Sequence, residues 1–399
     1  MDMINKIISD EPPTLPEPKH LHLVNVHIPD TSMYTVNVEN PEKVGEKNSY
    51  VVYTVRSTKT ADNTTAVQQR RYNDFMWFYE HLKTAHPSCV VPQIPEKTLI
   101  GGKFDPELLS FRARELTRFM QRVVAHPVLR EDETVAIFLS APADEFAARR
   151  DRKEDAPKSK FMALVKGRAS DLGYAVGVSK VDDPEPWFAE QAEEVVAREA
   201  VLTQMLQNTQ RIMSQYKQMA VRYGEQAAKL REFADADGDA ALKEHCGRNA
   251  AALEHNKELL EDMACQANVT LRGNILDYVR ELQAIMEVID RRAPLVRAYT
   301  SANKDATAKP GQETLAKRDE ALAALDAFSK AARADIQRVY DLRRGDMEHF
   351  FHALARAHQE CFTCIAQTWD QALGNTPARP AAPASAAAAV DAADGAFAQ

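Results

Sequence analysis

The sequence predicts two folds in series. An α+β domain, a three-stranded sheet with helices, is followed by an all-α, elongated three-helix coiled coil. Three observations predict this. Segments of near period-two alternation cluster before residue 75, as in SYVVYTVRS at residues 49–57. Between Pro186 and Leu373 proline occurs only at 186, 294 and 310, and apolar residues step by three and four over long stretches. Between these regions lies a charged connector, residues 141–185, punctuated by Pro142, Pro157 and Pro184.

Taken in order, residues 1–20 carry acidic residues and prolines and no long apolar core, so they read as a flexible leader and not a signal peptide. The α+β domain occupies 21–140. Strands are expected at His22–Ile28, Tyr34–Val38, Ser49–Ser57 and Ala66–Tyr72, and helices at about 74–86, 106–126 and 131–140. Asp74 is placed to cap the first helix. Within the connector, Phe161, Met162, Leu164 and Val165 fall on one side of a helical wheel, with Lys158, Lys160 and Lys166 beside them. Such a helix either lies flat among lipid headgroups or docks on its neighbours as a domain joint.

The coiled coil occupies 186–375. Its first helix carries a seam of Leu202, Met205, Thr209, Ile212, Tyr216, Met219 and Tyr223, and ends at the DADGD of residues 235–239. The second is expected over 240–300, kinked by Pro294. Residues 301–312 are expected as a loop and residues 313–373 as the third helix. A thin bundle of this kind leaves an apolar stripe that a second copy would cover; a generic cytoskeletal coiled coil would show the same periodicity. Residues 376–399, rich in Ala and Pro, are expected to be disordered.

Composition narrows the function. The 399 residues hold 45% hydrophobic and 27% charged side chains, with no apolar run of bilayer-spanning length. Five scattered cysteines suit reduced thiols, and Cys361 and Cys364, on a helix seam, read as buried thiols and not as a metal or redox pair. No motif of a nucleotide-binding loop, metalloprotease or serine hydrolase is present, so no catalytic residue, metal ligand or cofactor is assigned. The formal net charge of −8 argues against nucleic acid. Two local stretches run the other way: residues 146–168 carry eight Lys/Arg against three Asp/Glu, and residues 291–318 seven against two. Each cation near an anionic leaflet contributes about 1 kcal/mol. Lys304, Lys309, Lys317 and Arg318 cluster at the turn before the third helix, either as a solvated loop or as a basic tip touching lipid.

The chemistry-bearing motif is Arg70-Arg71-Tyr72-Asn73-Asp74-Phe75, where a strand hands over to a helix. A guanidinium fork matches phosphate oxygens and keeps its charge, and an aromatic face packs under a sugar-like ring. An ordinary surface pair beside a core tyrosine is the other reading. Val91-Pro92-Gln93-Ile94-Pro95-Glu96-Lys97 follows, with prolines stiffening an arm that carries Lys97, Leu99 and Ile100. Arg112 opens the run RARELTRF, with Arg114 as a competitor.

RRYNDF, VPQIPEK and this last run together resemble a phox-homology (PX) domain over about residues 20–140. Three long helices directly after it, ending in MEHFFHALARAHQECFTCIAQTWDQAL, resemble the BAR domain of sorting nexins; the resemblance covers about residues 20–375. It implies binding of phosphatidylinositol 3-phosphate, with Arg71 on the 3-phosphate, Tyr72 against the inositol ring, Lys97 on the 1-phosphate and Arg112 on the ring hydroxyls. It further implies Leu99 and Ile100 dipping into the bilayer, and a homodimer, or a heterodimer with another sorting nexin, that senses curvature and shapes tubules on early endosome membranes. Partnership with the retromer trimer is one branch of the resemblance, supported by Asn40-Pro-Glu-Lys-Val-Gly45; a relative in recycling or autophagy without retromer is another. A lipid-anchored scaffold that bends nothing stays open as a different class.

Overall fold

The computed structural model describes residues 33–45, 49–95, 106–151, 183–266 and 273–374. The expected leader, the strand at His22–Ile28, Lys97, Leu99, Ile100, the stretch 158–173 and the tail lie outside these residues.

An antiparallel sheet forms in the order β1 (Tyr34–Val44), β2 (Tyr50–Lys59), β3 (Thr65–Arg71). Val38 pairs with Val55, and Val52 with Arg71. β1 runs six residues past its expected end. A bulge between Glu39 and Glu42 absorbs Asn40-Pro41, and Asn40 takes a φ of +48°, a left-handed conformation that asparagine tolerates better than most residues. β3 passes without a loop into α1 (Tyr72–Ala85). Asp74 does not cap as expected: Arg71 is the N-cap, and Asp74, three residues on, accepts a 2.8 Å bond from the Arg71 N–H. That is the reach-back half of a capping box.

Then come α2 (Pro106–Ala125), a 3-10 turn (Leu129–Glu131), α3 (Glu133–Ser140) and α4 (Ala143–Arg150). Helix α2 lies on β1, where the Thr117 hydroxyl accepts from the Val38 N–H at 2.9 Å. Alternation along the strands turns Val36, Val38, Tyr53 and Val55 inward onto Phe75, Phe78, Leu116, Phe119 and Phe138, and the Phe78 and Phe138 rings stack at 4.5 Å. The short α4 falls inside the stretch expected as connector. Its Phe146 enters this same core, 2% exposed, against Trp77 and Phe138.

The helical region consists of α5 (Trp187–Asp237), α6 (Ala240–Gln266), α7 (Gly273–Ala308) and α8 (Gln312–Ala372). Gly238, at φ +80°, separates α5 from α6. α7 contains Pro294 and continues eight residues past Thr300, so the expected loop shrinks to residues 309–311. The sequence SANKDATA is alanine-rich, and Ala306 is 5% exposed, so packing and propensity extend the helix together. The buried stripe of α5 follows the expected seam at Leu202 and Thr209 and departs from it by one residue at its other heptad position. Leu206, Met213, Ala220, Ala227 and Ala234 repeat every seven residues and are all buried, whereas Ile212 and Met219 are exposed. Small alanines let a neighbouring helix approach, so they mark the seam although they contribute little apolar area.

The described chain divides into two compact units. The first gathers the sheet, α1 to α4, α5 as far as Asn208, α7, and α8 as far as Phe351. Its helical core is built from Phe188, Val195, Leu202 and Leu206 with Ile275, Val279, Leu282, Ile289, Phe328 and Ile336. The second holds α5 from Thr209, α6 and the end of α8. Ala227, Ala250 and Leu253 pack there with Tyr223, Leu230 and Trp369. Cys361 and Cys364 are half-buried, not fully buried as expected, and the Cys361 thiol points at the Leu259 carbonyl at 3.8 Å.

Within the first unit, His126, 1% exposed, joins the α+β domain to α8. Its Nδ1 accepts from the N–H groups of Val128 and Leu129 at 3.1 and 3.2 Å. The ring proton therefore sits on Nε2, 3.0 Å from Asp335 Oδ1. Asp335 also accepts from the Val90 N–H at 2.6 Å and from Arg338 at 2.7 Å. Burial works against the Asp335 charge, but His126 and Arg338 hold its pKa at about 2. Cys89 completes the cluster, its thiol pushed up to about 12 by burial. His126 and Asp335 are hydrogen-bonded to one another and each to the backbone of the α+β domain, so the trio straps that domain to α8.

Adding a proton to His126 would aim an N–H at two N–H donors. Burial lowers its pKa, with Arg338 and His86 adding to the fall and Asp335 opposing it. A lowered folded pKa means stability that is full above the unfolded value near 6.5 and is lost as pH falls below it. Urea denaturation at pH 7.5, 6.5 and 5.5 is expected to show a loss of up to about 1.4 kcal/mol per unit below that value, and His126→Gln to remove this one-proton share.

Candidate functional site

Strand alternation assigns opposite fates to the two adjacent arginines. Arg70 points inward and is 1% exposed. It donates to the carbonyls of Phe138 (3.1 Å), Ala141 (2.6 Å) and Gln69 (3.0 Å), and its guanidinium lies 4.5 Å from the Phe146 ring centre. Burial pulls its pKa down to about 10, against the pull of Asp74, so it stays charged at neutral pH. Arg71 points outward and is exposed. Its guanidinium rests 3.7 Å from the centre of the Tyr50 ring, a cation–π platform supplied by the start of β2.

Tyr72, the next residue, is 9% exposed and its ring belongs to the domain core. Its hydroxyl donates to the Pro95 carbonyl at 2.5 Å, fixing the end of the proline segment against the start of α1. Arg112, also 9% exposed, reaches across from α2, with its guanidinium 5.1 Å from the Tyr72 ring centre. It is Arg112 and not Arg114 that takes this place. The structure therefore brings Arg71, Tyr72 and Arg112 to one corner of the domain. What Tyr72 offers a ligand is limited to its remaining exposed surface.

Two neighbours were not legible as site residues. Tyr50 holds Arg71 in position. Tyr53 lies near Arg112; its buried hydroxyl has no hydrogen-bond partner of good geometry, and burial raises its pKa while Arg112 pulls it back. Both lie on β2, and the sheet register that brings them to RRY is a tertiary fact. Among the described residues no carboxylate pairs with Arg71 or Arg112. An unneutralised guanidinium that is almost fully enclosed is costly unless an anion reaches it. The arrangement can hold a phosphate-bearing ring by charge-assisted hydrogen bonds.

At the turn before α8, Lys304, Lys309 and Lys317 are exposed and Arg318 is half-buried. Lys317 pairs with Glu313 at 2.6 Å and Arg318 with Asp319 at 2.6 Å, and with Asp305 beside Lys304 the four cations of residues 304–319 meet three acids, a net charge of +1. Among the described residues no helix is long and apolar enough to cross a membrane.

Comparison with known proteins matches both halves. A PX-domain model covers residues 58–142, and a model described as Vps5 C terminal like covers residues 162–364, about half of the chain. Human sorting nexin-1 is 27% identical over 333 residues, covering 78% of this chain and 60% of that protein. The vacuolar protein sorting-associated protein vps5 of Schizosaccharomyces pombe is 25% identical over 289 residues, 67% of this chain and 48% of that one. The chain thus spans three fifths or less of these relatives' own length. The fold is shared with the SNX-BAR Mvp1 tetramer determined by cryo-EM, at a TM-score of 0.63 over 85% of this chain and all of that one, with 16% identity. With a PX domain and the Vps5-type helical region matched in that order, the chain belongs to the PX-BAR sorting nexins.

Proposed function

We propose that the chain binds phosphatidylinositol 3-phosphate through Arg71 and Arg112, and senses or imposes curvature on endosomal membranes as a dimer during protein sorting. The observation that carries the lipid reading is the pair of guanidinium groups beside Tyr72 without carboxylate partners among the described residues. Arg71 takes the 3-phosphate and Arg112 the ring hydroxyls. Lys97 takes the 1-phosphate, and Leu99, Ile100 and the 158–173 stretch enter the leaflet.

Dimerisation is supported by apolar side chains left at the surface. On α5 these include Val196 (55% exposed), Val201, Ile212, Val221 and Phe233; on α8 they include Leu342, Phe351 and Phe362. Large apolar groups spaced along two helices are unfavourable in water and suit burial against a second BAR region, of this chain or of another sorting nexin. Lys304 and Lys309 add a weak, salt-sensitive attraction to anionic lipid. Two headgroup sites on one dimer reinforce each other through effective concentration.

Vesicle sedimentation and electron microscopy test this. Binding is expected to require phosphatidylinositol 3-phosphate and to fall with added salt, and tubules are expected at high coverage. Binding without any tubulation would establish a lipid-anchored scaffold instead. Loss of binding on Lys304→Ala with Lys309→Ala, with binding kept by Arg71→Ala, would locate the attraction in the basic tip and not in the pocket.

A further inference from the structure

Four arginines and four acids form a mutually neutralising cluster between α2 and the helices α7 and α8, all within the first unit, with Glu115, Asp277, Arg280 and Arg343 buried and the other four half-buried. From α2, Arg122 pairs with Asp277 and Glu281 of α7, and Glu115 pairs with Arg280. Arg118 lies 3.3 Å from Glu115. From α8, Arg343 meets Glu281 through its Nε at 2.8 Å, and Asp346 stands 3.7 Å from Arg122. Gly273 opens α7 beside Arg118, where a Cβ would lie 3.2 Å from the guanidinium. The crossing is reciprocal: each side contributes both signs. Buried ion pairs add little net stability over apolar packing, but a misaligned one leaves charges alone in a low dielectric. Such a cluster selects one alignment of the two surfaces.

The same two segments that build the headgroup corner are held by this contact. α2 carries Arg112 to Tyr72, and three to ten residues further on carries Glu115, Arg118 and Arg122 into the cluster. The Cys89–Pro95 segment is stitched into two cores at once. Val90 belongs to the helical core, while Val91 and Ile94 belong to the α+β core. Its Val90 N–H donates to Asp335 of α8, Gln93 reaches Glu287 of α7 at 3.5 Å, and the Pro95 carbonyl holds Tyr72.

We infer that the α2–α7 charge cluster and the Cys89–Pro95 segment couple the headgroup pocket to the helical region, so that seating α7 organises the pocket and filling the pocket tightens the seat. The inference rests on the headgroup reading of Arg71 and Arg112. Linkage makes the two effects equal in free energy.

The test uses the full chain with soluble inositol 1,3-bisphosphate as the probe, read by calorimetry, and hydrogen exchange of residues 89–95. Arg280→Glu or Glu115→Arg alone is expected to weaken headgroup binding about tenfold and to unprotect residues 89–95. The swapped pair, Glu115→Arg with Arg280→Glu, is expected to recover both to within about threefold. Should a single reversal fail to fold, the pair Glu115→Met with Arg280→Met removes both members of that ion pair together and is expected to fold yet bind about tenfold more weakly. Wild-type affinity in a folded single reversal or in the folded methionine pair, or a swapped pair no better than either reversal, overturns the coupling. If the wild-type chain itself does not bind the probe, the headgroup reading fails, and exchange alone decides: protection of residues 89–95 unchanged by Arg280→Glu rejects the coupling, and loss restored by the swap supports it.

Discussion

Arg71→Ala is expected to lower affinity for phosphatidylinositol 3-phosphate vesicles about 100-fold while leaving the fold and the dimer intact. The two halves of this expectation have separate physical sources. Charge-assisted, forked hydrogen bonds from a guanidinium to a phosphate are among the stronger polar contacts, and losing them costs about 2–4 kcal/mol when the anion is partly desolvated. The fold, in contrast, uses Arg71 very little. Its side chain is exposed, no carboxylate among the described residues pairs with it, and its one ring contact is the Tyr50 platform, worth about 0.5–1 kcal/mol at an exposed site. Its backbone N–H still reaches Asp74 in the alanine variant. The unfolding free energy from urea titration should therefore change by no more than about 1 kcal/mol. Arg71→Lys should fall between, because an ammonium keeps the charge but not the fork. Wild-type vesicle binding by the alanine variant would show that the phosphate is held elsewhere.

The site was legible in the sequence to the extent that its residues are neighbours there. RRY at a strand-to-helix junction announces a guanidinium beside a ring, and the structure joins β3 to α1 at that point. Period-two alternation also implies that Arg70 and Arg71 face opposite ways, which is what their exposures show. Tyr50 and Tyr53 were not legible, because β2–β3 register brings them in. Helix ends and faces were partly legible. The stop at Gly238 was, since glycine there relieves a positive φ. The seam of α5 was placed correctly at Leu202 and Thr209 and one residue off at its other heptad position, because alanines at 220, 227 and 234 carry the contact while bulkier Ile212 and Met219 face out. The cluster of Glu115, Arg118 and Arg122 with α7 gave no sign, since ordinary amphipathic helices carry the same charges on a solvated face.

Arg70→Ala is expected to be the damaging member of the pair, lowering stability of the α+β domain by about 3–5 kcal/mol. Three carbonyls, of Gln69, Phe138 and Ala141, lose their donor, two of them at the junction of α3 and α4. Each buried acceptor left without a partner costs about 1–3 kcal/mol, and the vacated volume lies against Phe138 and Phe146. Some of this is offset, since the variant no longer buries a charge. The offset is appreciable, because burial lowers the pKa of the guanidinium to about 10 and Asp74 opposes this only in part, so the net loss is expected toward the lower end of about 3–5 kcal/mol. Arg70→Lys should recover less than half, as one ammonium cannot span carbonyls that a planar fork reaches together. Arg70→Met separates packing from hydrogen bonding: it refills most of the space, so the loss that persists measures the orphaned carbonyls. Headgroup affinity per folded molecule should change little in all three, the reverse of the Arg71 series. An Arg70 variant as stable as wild type would mean that water satisfies these carbonyls and that β3 does not depend on its buried guanidinium to hold α3 and α4.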